Sequence, residues 1–170
     1  MDVFVLIPGP ELQDASRTCG QRLEGKTPAR VPGNPCLFKH EWKQEEHERF
    51  AQSILDHSAS LRGRTSTVGS ILSEYTAEAG IRVEKSFMPL LLLLESGIQW
   101  IMPGQLAVIV ALKLSTNNYT AKAIIHRHGE METVEVEVGS VLILYGDHVG
   151  WELQEGSVSF LHIPVHVYRI

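Results

Sequence analysis

The sequence predicts an α+β fold in which two helices pack on a rolled antiparallel β-barrel. Before Gly80 apolar residues recur at helical spacing, while from residue 82 onward they fall into short runs or strict alternation, the patterns of strands. Two of the runs, Phe87–Leu94 and Leu106–Leu114, are apolar at nearly every position, which requires cover on both faces of the sheet. The chain has 170 residues, 44% of them hydrophobic, enough for the core of a single domain. Its expected division is an irregular N-terminal arm with a short strand over 1–40, two helices over 41–80 and a β-barrel over 82–170.

Val3 to Ile7 is an apolar run closed by Pro8-Gly9-Pro10, expected as a buried strand that proline ends. From there to Pro35 glycine and proline are frequent and no period emerges, so this stretch reads as a surface wrap or a partner-binding arm. Glu41–Arg62 is the first expected helix. Phe50, Ala51, Ile54, Leu55 and Leu61 form its stripe, Glu45 and Arg49 are an i,i+4 pair, and Gly63 supplies the stop. The second is Thr67–Ala79, with Val68, Ile71, Leu72, Tyr75 and Ala79 on its apolar face, Ser66 or Thr67 as cap and Gly80 as terminator.

Further strands are expected at Ala121–His126, Thr133–Val138, Val141–Tyr145 and Val158–Tyr168. Val134, Val136 and Val138 alternate with Thr133, Glu135 and Glu137, so that strand has one wet face. Trp151 alternates with Val149 and Leu153 and is expected in the core, with His148 and Gly150 pointing the other way. In the last strand Leu161, Ile163, Val165 and Val167 share one face and are expected to meet the core or the helices. Phe160, His162, Pro164, His166 and Tyr168 share the other. That second face either lines the barrel mouth or sits hydrogen-bonded on a half-wet sheet. Pro164 implies an unpaired side or a bulge.

Composition narrows the function classes. Residues 1–64 hold nine basic and nine acidic residues, so the net charge of −5 lies wholly in 65–170. No cluster of Lys and Arg alternates with aromatics, and no nucleic-acid groove is expected. The longest apolar run is too short to span a bilayer, the Met1-Asp2-Val3 start lacks a basic signal region, and Cys19 and Cys36 show no framework spacing. A soluble, intracellular protein with reduced thiols is expected. Neither a Gly-x-Ser-x-Gly elbow nor a Cys-x-x-Cys pair occurs. Residues 8–38 are the expected contact for a protein partner, because such a segment gains order most cheaply against a partner surface.

Candidate metal chemistry begins at His126-Arg127-His128-Gly129-Glu130-Met131-Glu132. Two histidines at i and i+2 on a strand project to one side, which suits a metal with a carboxylate nearby. The spacing from His126 and His128 to Glu132 and Gly139 resembles the first cupin motif, although Thr120 stands where its glycine is expected. Alternatively Arg127–Glu130 is a hairpin turn, which would splay the two histidines.

A second pattern is longer. Ile98-Gln99-Trp100 precedes the Leu106–Leu114 strand, Gly139 to Gly146 frames a buried strand, Asp147, His148 and Trp151 follow, and the last strand ends at Arg169. From Gly97 to Arg169 the chain resembles the AlkB-like branch of the iron- and 2-oxoglutarate-dependent oxygenases. The resemblance implies a double-stranded β-helix (jelly-roll or cupin-like) barrel using Fe(II) and 2-oxoglutarate. It also implies a His-x-Asp pair after Trp100, where this chain has Ile101-Met102-Pro103. Val149 takes the position of the second metal histidine and His148 falls one residue away, which on a strand is the opposite face. Ile163 stands where the arginine for 2-oxoglutarate belongs. The expectation is therefore a degenerate member that binds no cofactor and serves as a non-catalytic binding or assembly module. The alternative is a metal-dependent oxygenase- or cupin-like enzyme with ligands from His126, His128, Glu132 and His148.

Overall fold

The computed structural model describes residues 3–41, 45–86, 88–115 and 119–170. In chain order its elements are β1 (Phe4–Pro8), α1 (Pro10–Gln21), β2 (Ala29–Arg30), β3 (Leu37–His40), α2 (Glu45–Ser53) with a 3₁₀ turn (Ile54–Asp56), β4 (Ser58–Leu61), β5 (Arg64–Thr67) and α3 (Val68–Glu78). There follow β6 (Ile81–Ser86), β7 (Leu90–Glu95), β8 (Gln99–Trp100), β9 (Gln105–Leu114), β10 (Thr120–Arg127), β11 (Glu130–Glu137), β12 (Val141–Gly146), β13 (Val149–Leu153) and β14 (Ser157–Arg169). The larger sheet runs β2-β3-β7-β14-β9-β12-β1-β4-β5, with β6 on the far half of β14, and the smaller runs β11-β10-β13-β8. From β7 onward the chain passes back and forth between the two sheets, which makes the α+β double-stranded β-helix the sequence predicted.

Strand parity explains the continuous apolar runs. Along β9, Leu106, Val108, Val110 and Leu112 face the helices and share a core with Leu12, Ile54, Val68 and Ile71. Ala107, Ile109 and Ala111 face the smaller sheet and share a second core with Ile125, Trp151 and Phe160. Each fully buried large aliphatic side chain stabilises the fold by roughly 1.5–3 kcal/mol, so both faces of this sheet are costly to disturb. Among the described residues no helix is long and apolar enough to cross a membrane.

Three expectations are corrected. First, the arm is not irregular: residues 10–21 form α1, opened by Pro10 just inside its start, and residues 29–40 add the β2–β3 hairpin to the sheet edge. The buried side of α1 is Leu12, Ser16, Cys19 and Gly20, a stripe in which Leu12 is the one large apolar side chain. Smallness is what the contact needs, since a Cβ on Gly20 would lie 2.3 Å from the Leu112 carbonyl oxygen of β9. Second, the helix expected over 41–62 is confined to Glu45–Ser53 and its 3₁₀ turn, with residues 42–44 outside those described. Ser58–Leu61 is instead a strand, because Ala59 and Ser60 pair with Pro8 and Ile7. Gly63, expected as a helix stop, closes a two-residue hairpin with Arg62 (φ 81° and 52°), the positive φ pair that right-twisted strands favour. Third, the expected barrel region opens with β6 just after α3, a strand not among those individually expected.

The second expected helix stands at Val68–Glu78, with the Thr67 side chain accepting from the Ser70 N–H. Pro164 falls where β14 changes partner, between the last β7 pair at His162 and the first β6 pair at Val165. A residue without an N–H is tolerated at such a gap.

Candidate functional site

The four side chains expected to hold a metal occupy different places. Ile125, 1% exposed, faces the core, so its neighbour His126 points out of the barrel. There it lies beside Trp100 (ring centroids 5.9 Å apart), with Nε2 3.5 Å from a Glu152 carboxylate oxygen. Glu132 pairs with Ile125 and so belongs to the opposite face from His126, at the exposed end of β11. His128 forms the two-residue turn with Gly129 (φ 48° and 82°), the hairpin alternative of the sequence reading. His148 sits in the β12–β13 turn with φ 59°, its Nε2 3.6 Å from Asp147. The structure brings only His128 and His148 together, with ring centroids 6.4 Å apart and the His128 N–H directed at the His148 carbonyl at 3.4 Å. Among the described residues no group of three or more His, Cys, Asp or Glu side chains is placed to hold a metal ion.

The positions where the oxygenase resemblance puts iron ligands are apolar. Ile101 is 5% exposed and donates its N–H to the Val149 carbonyl at 2.9 Å; Val149 is 2% exposed, and both belong to the core between the sheets. Met102 and Pro103 are exposed beside them. None of these side chains carries the imidazole or carboxylate that an iron centre requires, so the residues present do not fit that group there. Ile163 packs with the helix-side core, on the other face of β14.

A cleft of about 510 Å³ opens at this end of the barrel, between the β2–β3 hairpin and strands β7, β8 and β14. Val31, Leu37, Leu90, Leu92, Trp100 and Ile101 give it apolar walls. Its polar groups are Asn34, Gln99, Gln105 and His162, and its charged lining residues are Arg30 and Lys39. Gln99 is buried, its Oε1 accepting from Trp151 Nε1 at 2.7 Å. His162 is 9% exposed, its Nδ1 has no hydrogen-bond partner, and burial pushes its pKa down to about 4. The ring is therefore neutral at pH 7.

The alternation of Phe160, His162 and Pro164 left His162 either at the barrel mouth or on a half-wet sheet, and the structure puts it in the cleft lining. The other wall was missed, because β2 is two residues long and neither it nor β3 repeats long enough to register as a strand. Pro32-Gly33-Asn34, where the structure gives Gly33 a φ of 76°, was the available turn signal.

No protein-family model matches the chain, and no curated protein matches it significantly. Among solved structures, the crystal structure of a Pseudomonas putida prolyl-4-hydroxylase superposes with a TM-score of 0.59, covering 99% of this chain and 92% of that one at 10% identity. At that identity the likeness establishes a shared fold.

Proposed function

We propose that this chain is an oxygenase-like barrel of AlkB-like descent that has lost its iron and 2-oxoglutarate ligands and works as a non-catalytic binding module. The observation that carries the reading is the burial of Ile101 against Val149 where two ligand-bearing positions belong. Fold likeness alone cannot decide activity, and the side chains at the site favour binding over metal chemistry. A protein partner is part of the proposal, meeting the arm along β2, the outermost strand of the larger sheet. Val31 donates across the hairpin to Leu37, so by alternation the N–H of Arg30 points to the free edge; proline at Arg30 would block strand addition there and is expected to abolish such a complex, and an unchanged complex would remove this contact.

The competing reading, a metal-dependent enzyme drawing on His126, His128, Glu132 and His148, has the proximity of His128 and His148 in its favour. Elemental analysis for Fe, Mn, Ni and Zn separates the two. The binding reading expects substoichiometric metal and an unchanged unfolding midpoint in EDTA. Stoichiometric metal that disappears in His128→Ala would establish the competing one.

A further inference from the structure

We infer that the cleft at the barrel mouth binds a small organic monocarboxylate whose apolar body carries one hydroxyl, the carboxylate meeting Lys39 and the hydroxyl meeting His162. The inference rests on the reading of the barrel as a binding module and names its ligand class.

Three features select this ligand. The first is size and lining: about 510 Å³ with mostly apolar walls lies within the range of small-molecule sites, roughly 300–1,000 Å³. The second is charge. The chain has 20 acidic and 15 basic residues, yet no carboxylate lines the cleft and its charged lining residues are both cations. Arg30 and Lys39 are exposed on the β2–β3 hairpin, and neither belongs to any ion pair among the described residues. Lys39 pairs with the wall residue Leu92 and shares its face, whereas Arg30 pairs with Phe38 and its guanidinium lies over that ring at 5.7 Å, on the other face of the hairpin. An anionic head at the rim is thus favoured, and a cationic one is repelled.

The third is His162. Its buried Nδ1 is a polar atom removed from water with nothing in return, and a ligand group that bonds to the ring removes that penalty. A neutral imidazole offers one donor and one acceptor, and the His162 ring lines the cleft. A hydroxyl can answer both roles, whereas a carboxylate only accepts and an ammonium only donates. Burial also disfavours charge at this depth, so the ligand's charge stays at the rim.

Calorimetric titration in EDTA at pH 7.5 tests the inference with para-hydroxyphenylbutyrate, its amide, and phenylbutyrate. The acid is expected to bind one to one, the amide at least tenfold more weakly and phenylbutyrate severalfold more weakly. Lys39→Gln, at an exposed position, should weaken the acid to the level of the amide and leave the amide unchanged. His162→Phe should erase the preference for the hydroxyl while phenylbutyrate still binds. Equal affinity for acid and amide, or no binding of any probe to the folded protein, overturns the inference. Iron-dependent consumption of 2-oxoglutarate would instead overturn the reading beneath it, so the two failures are distinguishable.

Discussion

Replacing Trp151 by Ala removes the largest side chain that bridges the two sheets. The indole is 1% exposed, lies edge-on to Phe160 at 5.1 Å and 82°, and donates to Gln99 Oε1 at 2.7 Å. Truncating a buried aromatic to Ala costs about 3–5 kcal/mol, since transfer and cavity terms add. The stranded Gln99 acceptor adds about 1 kcal/mol. The expected loss is therefore about 4–6 kcal/mol, which for a chain of this size lowers the unfolding midpoint by about 10–20 °C. His148 is the internal control: it lies three residues away with 79% of its side chain exposed, so His148→Ala should cost less than about 1 kcal/mol. Guanidinium unfolding followed by circular dichroism on both variants reads the difference. A His148→Ala protein less stable than Trp151→Ala would mean that His148 belongs to a buried network, and the barrel-core assignment would fail.

Stability should fall on acidification. His162 titrates near 4 in the folded chain against 6.5 ordinarily, and burial also lowers His40 and His47. Between those values the unfolded chain binds more protons than the folded one, so stability contributed by neutral His162 is present above pH 6.5 and drains away down to about pH 4. The His162 share is up to about 3 kcal/mol. On acidification across this window the urea midpoint of wild type should fall further than that of His162→Phe, and parallel curves would dismiss the assignment. At Gly20 two effects oppose each other: alanine gains up to about 1 kcal/mol of helix propensity but drives its Cβ to 2.3 Å from the Leu112 oxygen. The clash should win, with a net loss of about 1–3 kcal/mol; a Gly20→Ala protein more stable than wild type would show that α1 sits farther from β9.

Sequence patterning revealed the parts of this fold in which side-chain chemistry changes with strand or helix period. The two-sided burial of β9, the capped helix at Val68–Glu78, the inward Trp151 and the gap at Pro164 are of that kind. Elements held by backbone geometry left no such trace. The contact side of α1 is built from Ser16, Cys19 and Gly20, which look like loop residues, and Ala59 belongs to a strand because β1 lies beside it. The same division holds at the site. Alternation gave the face that His162 shares with Phe160 but left open whether it lines the mouth, and the hairpin bearing Lys39 left no trace, because tertiary pairing with β7 makes it a wall. His126 and His128 illustrate the converse. Their i, i+2 spacing means a shared face only while the strand continues, and the His128-Gly129 turn ends it.

Aerobic incubation of the purified protein with Fe(II), ascorbate and 2-oxoglutarate, with succinate release followed by mass spectrometry, tests the proposed loss of metal chemistry most directly. Ile101, Val149 and Ile163 offer no ligand, so succinate should form no faster than with a heat-denatured control. Sustained release above that control, abolished by EDTA, would mean that an iron site assembles elsewhere in the barrel and that the protein is an enzyme.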